Sequence, residues 1–235
     1  MGGGRVSLIA QLLNEKALPE IVPSQSSRLV NELVDIAQIY EDELNFVAWE
    51  RTLEPSLINA VETLVSILSE RPKLLSHSET VSVENVETTL QRVFPECEGR
   101  DLIIEDIRLL LEAFCCLFEL EQVGLRISLV KRAMCPRFHV DQVPCRLITT
   151  YCGPATQWLE NSDISRAKLG RGNGGLPDEH SGLVSKDATV FQLKAGDVGL
   201  LKGEKWYENE GRGIVHRSPE VQANEARLIL TFDFA

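Results

Sequence analysis

The sequence predicts an α+β protein in which a helical N-terminal region packs on a C-terminal β-barrel of the jelly-roll kind. Apolar residues recur at helical spacing up to residue 122. From Val123 onward the apolar segments are short, β-branched or aromatic, and parted by Gly, Pro or charged turns; about eight strands fit there with no long helix between them. The last helix before that change has so broad an apolar face that it must lie on something large, such as a sheet. The expected division is 1–122 and 123–235, the two forming one integrated domain, because 235 residues leave little room for two.

In the first half, Val6 to Leu13 is a short amphipathic stretch. Ser26 or Ser27 can cap a helix over 26–42, with Leu29, Leu33, Ile36, Ala37 and Tyr40 on its apolar side. Leu44 to Trp49 reads as a strand. Glu54-Pro55-Ser56 starts a second helix that ends before Pro72, and Ser82 to Phe94 a third, stopped by Pro95. The longest runs from Asp101 to Leu120, through Ile104, Ile107, Leu110, Leu111, Phe114, Leu117 and Phe118. In the second half the strands expected are Gly124 to Val130, Arg146 to Tyr151, Thr156 to Leu159, Ala188 to Leu193, Val198 to Leu201, Lys205 to Tyr207, Ile214 to His216 and Ala226 to Phe234. Residues 161–187 form a polar, Gly-rich excursion at one end of the barrel.

Composition narrows the partners. The formal net charge is −11, from 35 acidic and 24 basic residues, which repels phosphate backbones and disfavours nucleic acid. No apolar run approaches the roughly 20 residues of a membrane-spanning helix. The N-terminus lacks a basic leader and a cleavage pattern, so a cytoplasmic protein is expected. Six cysteines follow neither a disulfide framework nor a CxxC zinc pattern; Cys115, Cys116, Cys135, Cys145 and Cys152 are expected as reduced, packed side chains. Gly170-Arg171-Gly172-Asn173-Gly174-Gly175 lacks the Lys-Ser/Thr of a phosphate loop and suits a covering loop better. Trp158 and Trp206 are expected in the core.

Among four histidines, 77, 139, 180 and 216, the informative one opens His139-Val140-Asp141. On a strand, residues i and i+2 share a face, so an imidazole and a carboxylate can meet at one point. His216 is the natural third ligand, completing two histidines and a carboxylate with open positions opposite. His180 lies in the polar excursion and His77 in a Ser-rich turn.

The order of the surrounding pieces adds to this. HxD is followed by a strand with Arg146 and Tyr151, then Gly153-Pro154-Ala155-Thr156, a Lys194-Ala195-Gly196-Asp197 turn, His216-Arg217-Ser218-Pro219, and a last strand opening with Arg227. Over residues 123–235 the chain resembles the prolyl-hydroxylase-like branch of the 2-oxoglutarate/Fe(II) dioxygenases, whose fold is the double-stranded β-helix. The resemblance implies Fe(II) on His139, Asp141 and His216, and 2-oxoglutarate with its distal carboxylate on Arg227 and a hydrogen bond from Tyr151. Arg146 and Arg217 compete for the carboxylate. Ile229 stands where that family often has Ser or Thr, and Gly-Pro-Ala-Thr replaces its Gly-Gly-x-Thr. Arg227 also has a plain reading, as one residue of a solvated strand face with Ile229, Thr231 and Asp233. The chain is similar, too, to a bacterial family of unknown function that shares Cys-Pro-Arg-Phe-His-Val-Asp and His-Arg-Ser-Pro.

The expected function is therefore an Fe(II)/2-oxoglutarate-dependent oxygenase, its substrate a small molecule or a protein side chain. The rivals are a cupin-like metal-binding or sensing protein that uses the same ligands, with Zn(II) favoured by a nearby cysteine, and a barrel retained as an interaction module. Oligomeric state is left open.

Overall fold

The computed structural model describes residues 25–71 and 73–235; the amphipathic stretch Val6 to Leu13 lies outside them. The strands are β1 (Ser27–Val30), β2 (Phe46–Trp49), β3 (Ser76–Val81), β4 (Val123–Val130), β5 (Cys145–Cys152), β6 (Gln157–Leu159), β7 (Phe191–Gln192), β8 (Val198–Lys202), β9 (Val215–Arg217) and β10 (Arg227–Phe234). Helices α1 (Pro55–Ser69), α2 (Val86–Val93) and α3 (Arg100–Phe118) precede β4, and a one-turn α4 (Asp178–Ser181) lies in the excursion.

A seven-stranded sheet, ordered β1-β2-β8-β5-β10-β4-β3, faces a three-stranded sheet, β7-β6-β9. From β4 onward the chain alternates between them: β4, a bridge at His139, β5, β6 and β7, β8, β9, β10. That alternation winds a jelly roll. Strand parity then sorts the side chains. Leu125, Leu147, Leu230 and Phe232 join the main core with Leu64, Leu110 and Phe114 of the helices. Phe46, Ile148, Leu201 and Ile229 pack on the opposite face against Trp158 of the smaller sheet. The major sheet is thus a middle layer, with helices on one side and the smaller sheet on the other.

The first half departs from its helical reading. Residues 26–42 give β1 and a 3-10 segment, Leu33–Tyr40, in place of a helix. The serines that resemble helix caps are held by the buried Glu160 carboxylate: Ser26 Oγ donates to Oε2 at 2.9 Å and Ser27 Oγ to Oε1. Strand β1 then pairs in parallel with β2. Tertiary anchoring has outweighed helical spacing. His77 lies in β3, a polar edge strand with Ser76, Ser78 and Thr80 exposed, rather than in a turn. Three strands of the first half thereby extend the major sheet at both ends.

Smaller corrections follow from local geometry. Lys205 to Tyr207 is a turn, closed by Trp206 N–H to Gly203 O at 3.3 Å. The strand expected over Ala188 to Leu193 shortens to β7, and the third helix to α2. Cys116 is exposed, since it sits a third of a turn from the buried Cys115 on α3. Cys135 is exposed as well, whereas Cys145 is buried and Cys152 half-buried. Trp158 is buried, and Trp206 is half-buried against the main core. No helix of the described residues is long and apolar enough to cross a membrane.

Candidate metal centre

His139 and His216 are paired through their backbones, each N–H donating to the other's carbonyl at 3.0 Å. Residues directly opposite in an antiparallel pair point the same way, so the rings meet with centroids 4.5 Å apart. Two residues on, Asp141 returns to the same side. Its carboxylate lies 3.8 Å from His139 Nε2 and 3.4 Å from His216 Nε2. One ligand atom from each residue falls within 4.8 Å of the others.

The ring orientations suit a metal. His139 Nδ1 lies 2.9 Å from Arg137 O and His216 Nδ1 lies 3.1 Å from Ile214 O. A carbonyl only accepts, so each Nδ1 carries a proton, and in the neutral ring each Nε2 is left to offer its lone pair to a metal. Burial opposes ionisation of Asp141, but the hydrogen bond and charge of His216, then Arg146, hold its carboxyl well below the usual carboxylate range. Burial, helped by His216, pushes His139 down, which favours the neutral, ligating ring. The donor set therefore fits a divalent transition metal with positions left for other ligands.

The arginines separate cleanly. Arg146 Nη1 donates to Asp141 Oδ2 at 2.7 Å, and its Nε and Nη2 hold Asp233 bidentately at 2.7 and 2.8 Å. It is fully engaged as a positioner of Asp141. Arg217 stacks on Phe138 at 4.2 Å and donates to Gln157. Arg227 is different: it is 0% exposed, so its strand face is not solvated. It donates to Ser218 Oγ at 3.0 Å, Thr156 Oγ1 at 2.8 Å and Thr150 Oγ1 at 3.3 Å, and its Nε has no partner among the described residues. With no carboxylate beside it among the described residues, burial pushes its pKa down to about 10.

A cavity of about 130 Å³ joins the pieces: His139, His216, Thr156 and Ser218 line it, with Ile148 and Ile229 as its apolar wall. Ser218 sits two residues after His216, just past the end of β9, so one short segment carries a ligand and a partner of Arg227.

Tyr151 is elsewhere. With Arg146, Ile148 and Thr150 on the cavity face, residue 151 must point to the helices, where its hydroxyl donates to Asp106 Oδ2 at 2.7 Å. It does not reach the cavity. His180 is exposed and outside the metal-ligand group. Sequence reasoning missed Asp178, buried in the excursion, which accepts from Phe138 N–H at 2.8 Å and so fixes the segment leading into His139. It missed Asp233 as the partner of Arg146, a pairing visible only once β5 and β10 are in register.

A family model described as a protein of unknown function (DUF1826) matches residues 31–233. The chain belongs to the DUF1826 family. A sequence search of curated proteins gave no match. Solved structures show that this DUF1826 chain shares the fold of 2-oxoglutarate/Fe(II) oxygenases. Dioxygenase for auxin oxidation 1 of Arabidopsis thaliana, solved with 2-oxoglutarate, matches with a TM-score of 0.53 at 11% identity, over 89% of this chain and 92% of that one. The rice dioxygenase for auxin oxidation matches at 0.51 and 10% identity, over 86% and 76%. The Fe(II)/α-ketoglutarate-dependent dioxygenase TqaL matches at 0.50 and 12% identity, over 86% of each chain. At such identities the likeness is one of fold.

Proposed function

We propose that the protein is an Fe(II)/2-oxoglutarate-dependent oxygenase acting on a small molecule or a protein side chain. One observation carries the reading: both histidines of a two-histidine, one-carboxylate ligand set line a small cavity together with Thr156 and Ser218, two partners of a buried arginine that has no counter-ion among the described residues. His139, Asp141 and His216 would hold the metal, and Arg227 the distal carboxylate of the 2-oxo acid. Fe(II) bound with 2-oxoglutarate supplies an oxidation by O2 that yields succinate, CO2 and an oxidised substrate.

The protein's own part is positioning. The carbonyls of Arg137 and Ile214 keep both imidazoles in the ligating tautomer. Arg146 keeps Asp141 ionised and aimed. Ser218, Thr150 and Thr156 hold the Arg227 guanidinium plane. Ile148 and Ile229 keep water from the reacting centre.

The test is metal analysis of the purified chain, followed by succinate formation from 2-oxoglutarate by the Fe(II)-loaded protein. His139→Ala should lose both metal and turnover. Arg227→Met should keep the metal and raise the KM for 2-oxoglutarate by roughly ten- to a hundredfold, the worth of a charge-assisted pair. Tightly held zinc without turnover would favour a non-oxygenase metal protein, and no metal at all an interaction module.

A further inference from the structure

The face of the major sheet that lines the cavity beneath the metal centre extends further than the smaller sheet opposite it. Beyond β10 come β4 and then the edge strand β3. Register places Arg126 and Ser128 of β4 beside Thr231 and Ile229, and Ser78 and Ser76 of β3 beside Arg126 and Ser128. The major-sheet residues that seat the smaller sheet come from β2, β5, β8 and β10, none from β4 or β3. The two outer strands therefore leave a polar shelf, with Ser76, Ser78 and Thr80 exposed, that leads into the mouth of the cavity.

Arg126 stands at the centre of that shelf and borders the cavity. Its side chain is 61% exposed, and its nearest carboxylate, Asp233 at 3.7 Å, is already held on both oxygens by Arg146. Among the described residues its other donors have no partner. Where β4 ends, Lys131 and Arg132 border an open groove floored by Leu129 and Val130, with no ion-pair partner among the described residues. On a chain of net charge −11, Arg126 sets a positive charge at the cavity mouth, and Lys131 and Arg132 add more past the far end of β4, a charge placement that favours anions along this face. The cavity, at about 130 Å³, is so small that the body of a substrate has to lie outside it.

We propose that the β3–β4 shelf is the substrate platform, and that the substrate carries an anionic group, a carboxylate or a phosphate, taken by Arg126 with the Ser78 hydroxyl across from it. The role as substrate platform rests on the oxygenase reading; the anion site does not. An anchored anion on the shelf would leave the rest of the molecule to reach past Thr231 toward His139 and His216.

Calorimetric titration of the full chain, loaded with Mn(II) and saturated with the unreactive 2-oxo acid mimic N-oxalylglycine, tests this. The probes are O-phosphoserine, N-acetylglutamate and an oligoglutamate peptide, with serine, N-acetylglutamine and oligoglutamine as neutral matches. At least one anionic probe should bind better than its match, lose affinity as salt rises, and bind about tenfold more weakly to Arg126→Gln. That variant should bind Mn(II) and N-oxalylglycine as the wild type does. Preference for the small acids or for the peptide tells which kind of molecule brings the anion. The proposal is overturned if no anionic probe outbinds its neutral match, or if Arg126→Gln binds the probes unchanged. Failure of the wild type to bind Mn(II) or N-oxalylglycine counts instead against the oxygenase reading, and the probes are then titrated on the metal-free chain.

Discussion

Lys202 shows how this fold treats a charge it cannot pair. Its ammonium is buried over the Trp206 ring at 4.7 Å and donates to the Glu41 carbonyl at 2.9 Å. Burial, partly offset by Asp42, pushes its pKa down to about 8. In the unfolded chain a lysine titrates near ~10.4. Between those values the unfolded state binds more protons, so the fold gains stability as pH rises through that window. Lys202→Met removes that gain. Urea denaturation should show the variant's stability relative to wild type falling between about pH 7 and about pH 10; parallel pH profiles would contradict the assignment. At the same scale, the HxD spacing made His139 and Asp141 legible in the sequence, because strand parity needs no tertiary information. Parity could also have excluded Tyr151, once Arg146 was given to the site face. The burial of Arg227 was not legible, since it depends on the smaller sheet and the Ser218 turn closing over a strand whose alternation suits a solvated face equally well.

Among the elements, the connection after Asp141 is the least forgiving. Gly203 N–H donates to Pro144 O and Glu204 N–H to Asp141 O, both at 2.9 Å. A Cβ at residue 203 would stand 2.1 Å from Val143 O and 2.7 Å from Asp141 O, both backbone atoms that cannot step aside. Gly203→Ala should therefore displace the segment that aims the Asp141 carboxylate and weaken metal binding about ten- to a hundredfold. Unchanged metal affinity in a folded variant would show that Asp141 is positioned by Arg146 alone. Elements with strong periodicity, α1, α3, β4, β5 and β10, were legible almost to the residue. The short or polar ones, β1 and β3, were not. Each is fixed by a neighbour: β1 by β2 and the Glu160 carboxylate, β3 by the register of β4.

At the scale of the molecule, the sharp change in sequence texture near residue 123 does not mark a gap in the packing. The outer face of the jelly roll's major sheet, with Leu125, Leu147, Leu230 and Phe232, is covered by Leu64, Leu110 and Phe114 from the helices of the first half. A fragment of residues 123–235 would expose that apolar face and the free edge of β4 to water. It should show no cooperative thermal transition, whereas the full chain should; a stably folded fragment would contradict the shared core. The fold class was legible because alternation of short strands survives in sequence, while the strands lent by the first half depend on long-range pairing that no local window carries.

On the proposed reading, His139, Asp141 and His216 hold one metal ion and Arg227 takes the far carboxylate of a 2-oxo acid. Crystals soaked with Mn(II) and N-oxalylglycine test it most directly, through the anomalous signal of the metal. A single peak is expected, bonded to both Nε2 atoms and the Asp141 carboxylate, with the mimic's distal carboxylate on Arg227. No peak at that position, or a mimic anchored by Arg217 with Arg227 untouched, would contradict it.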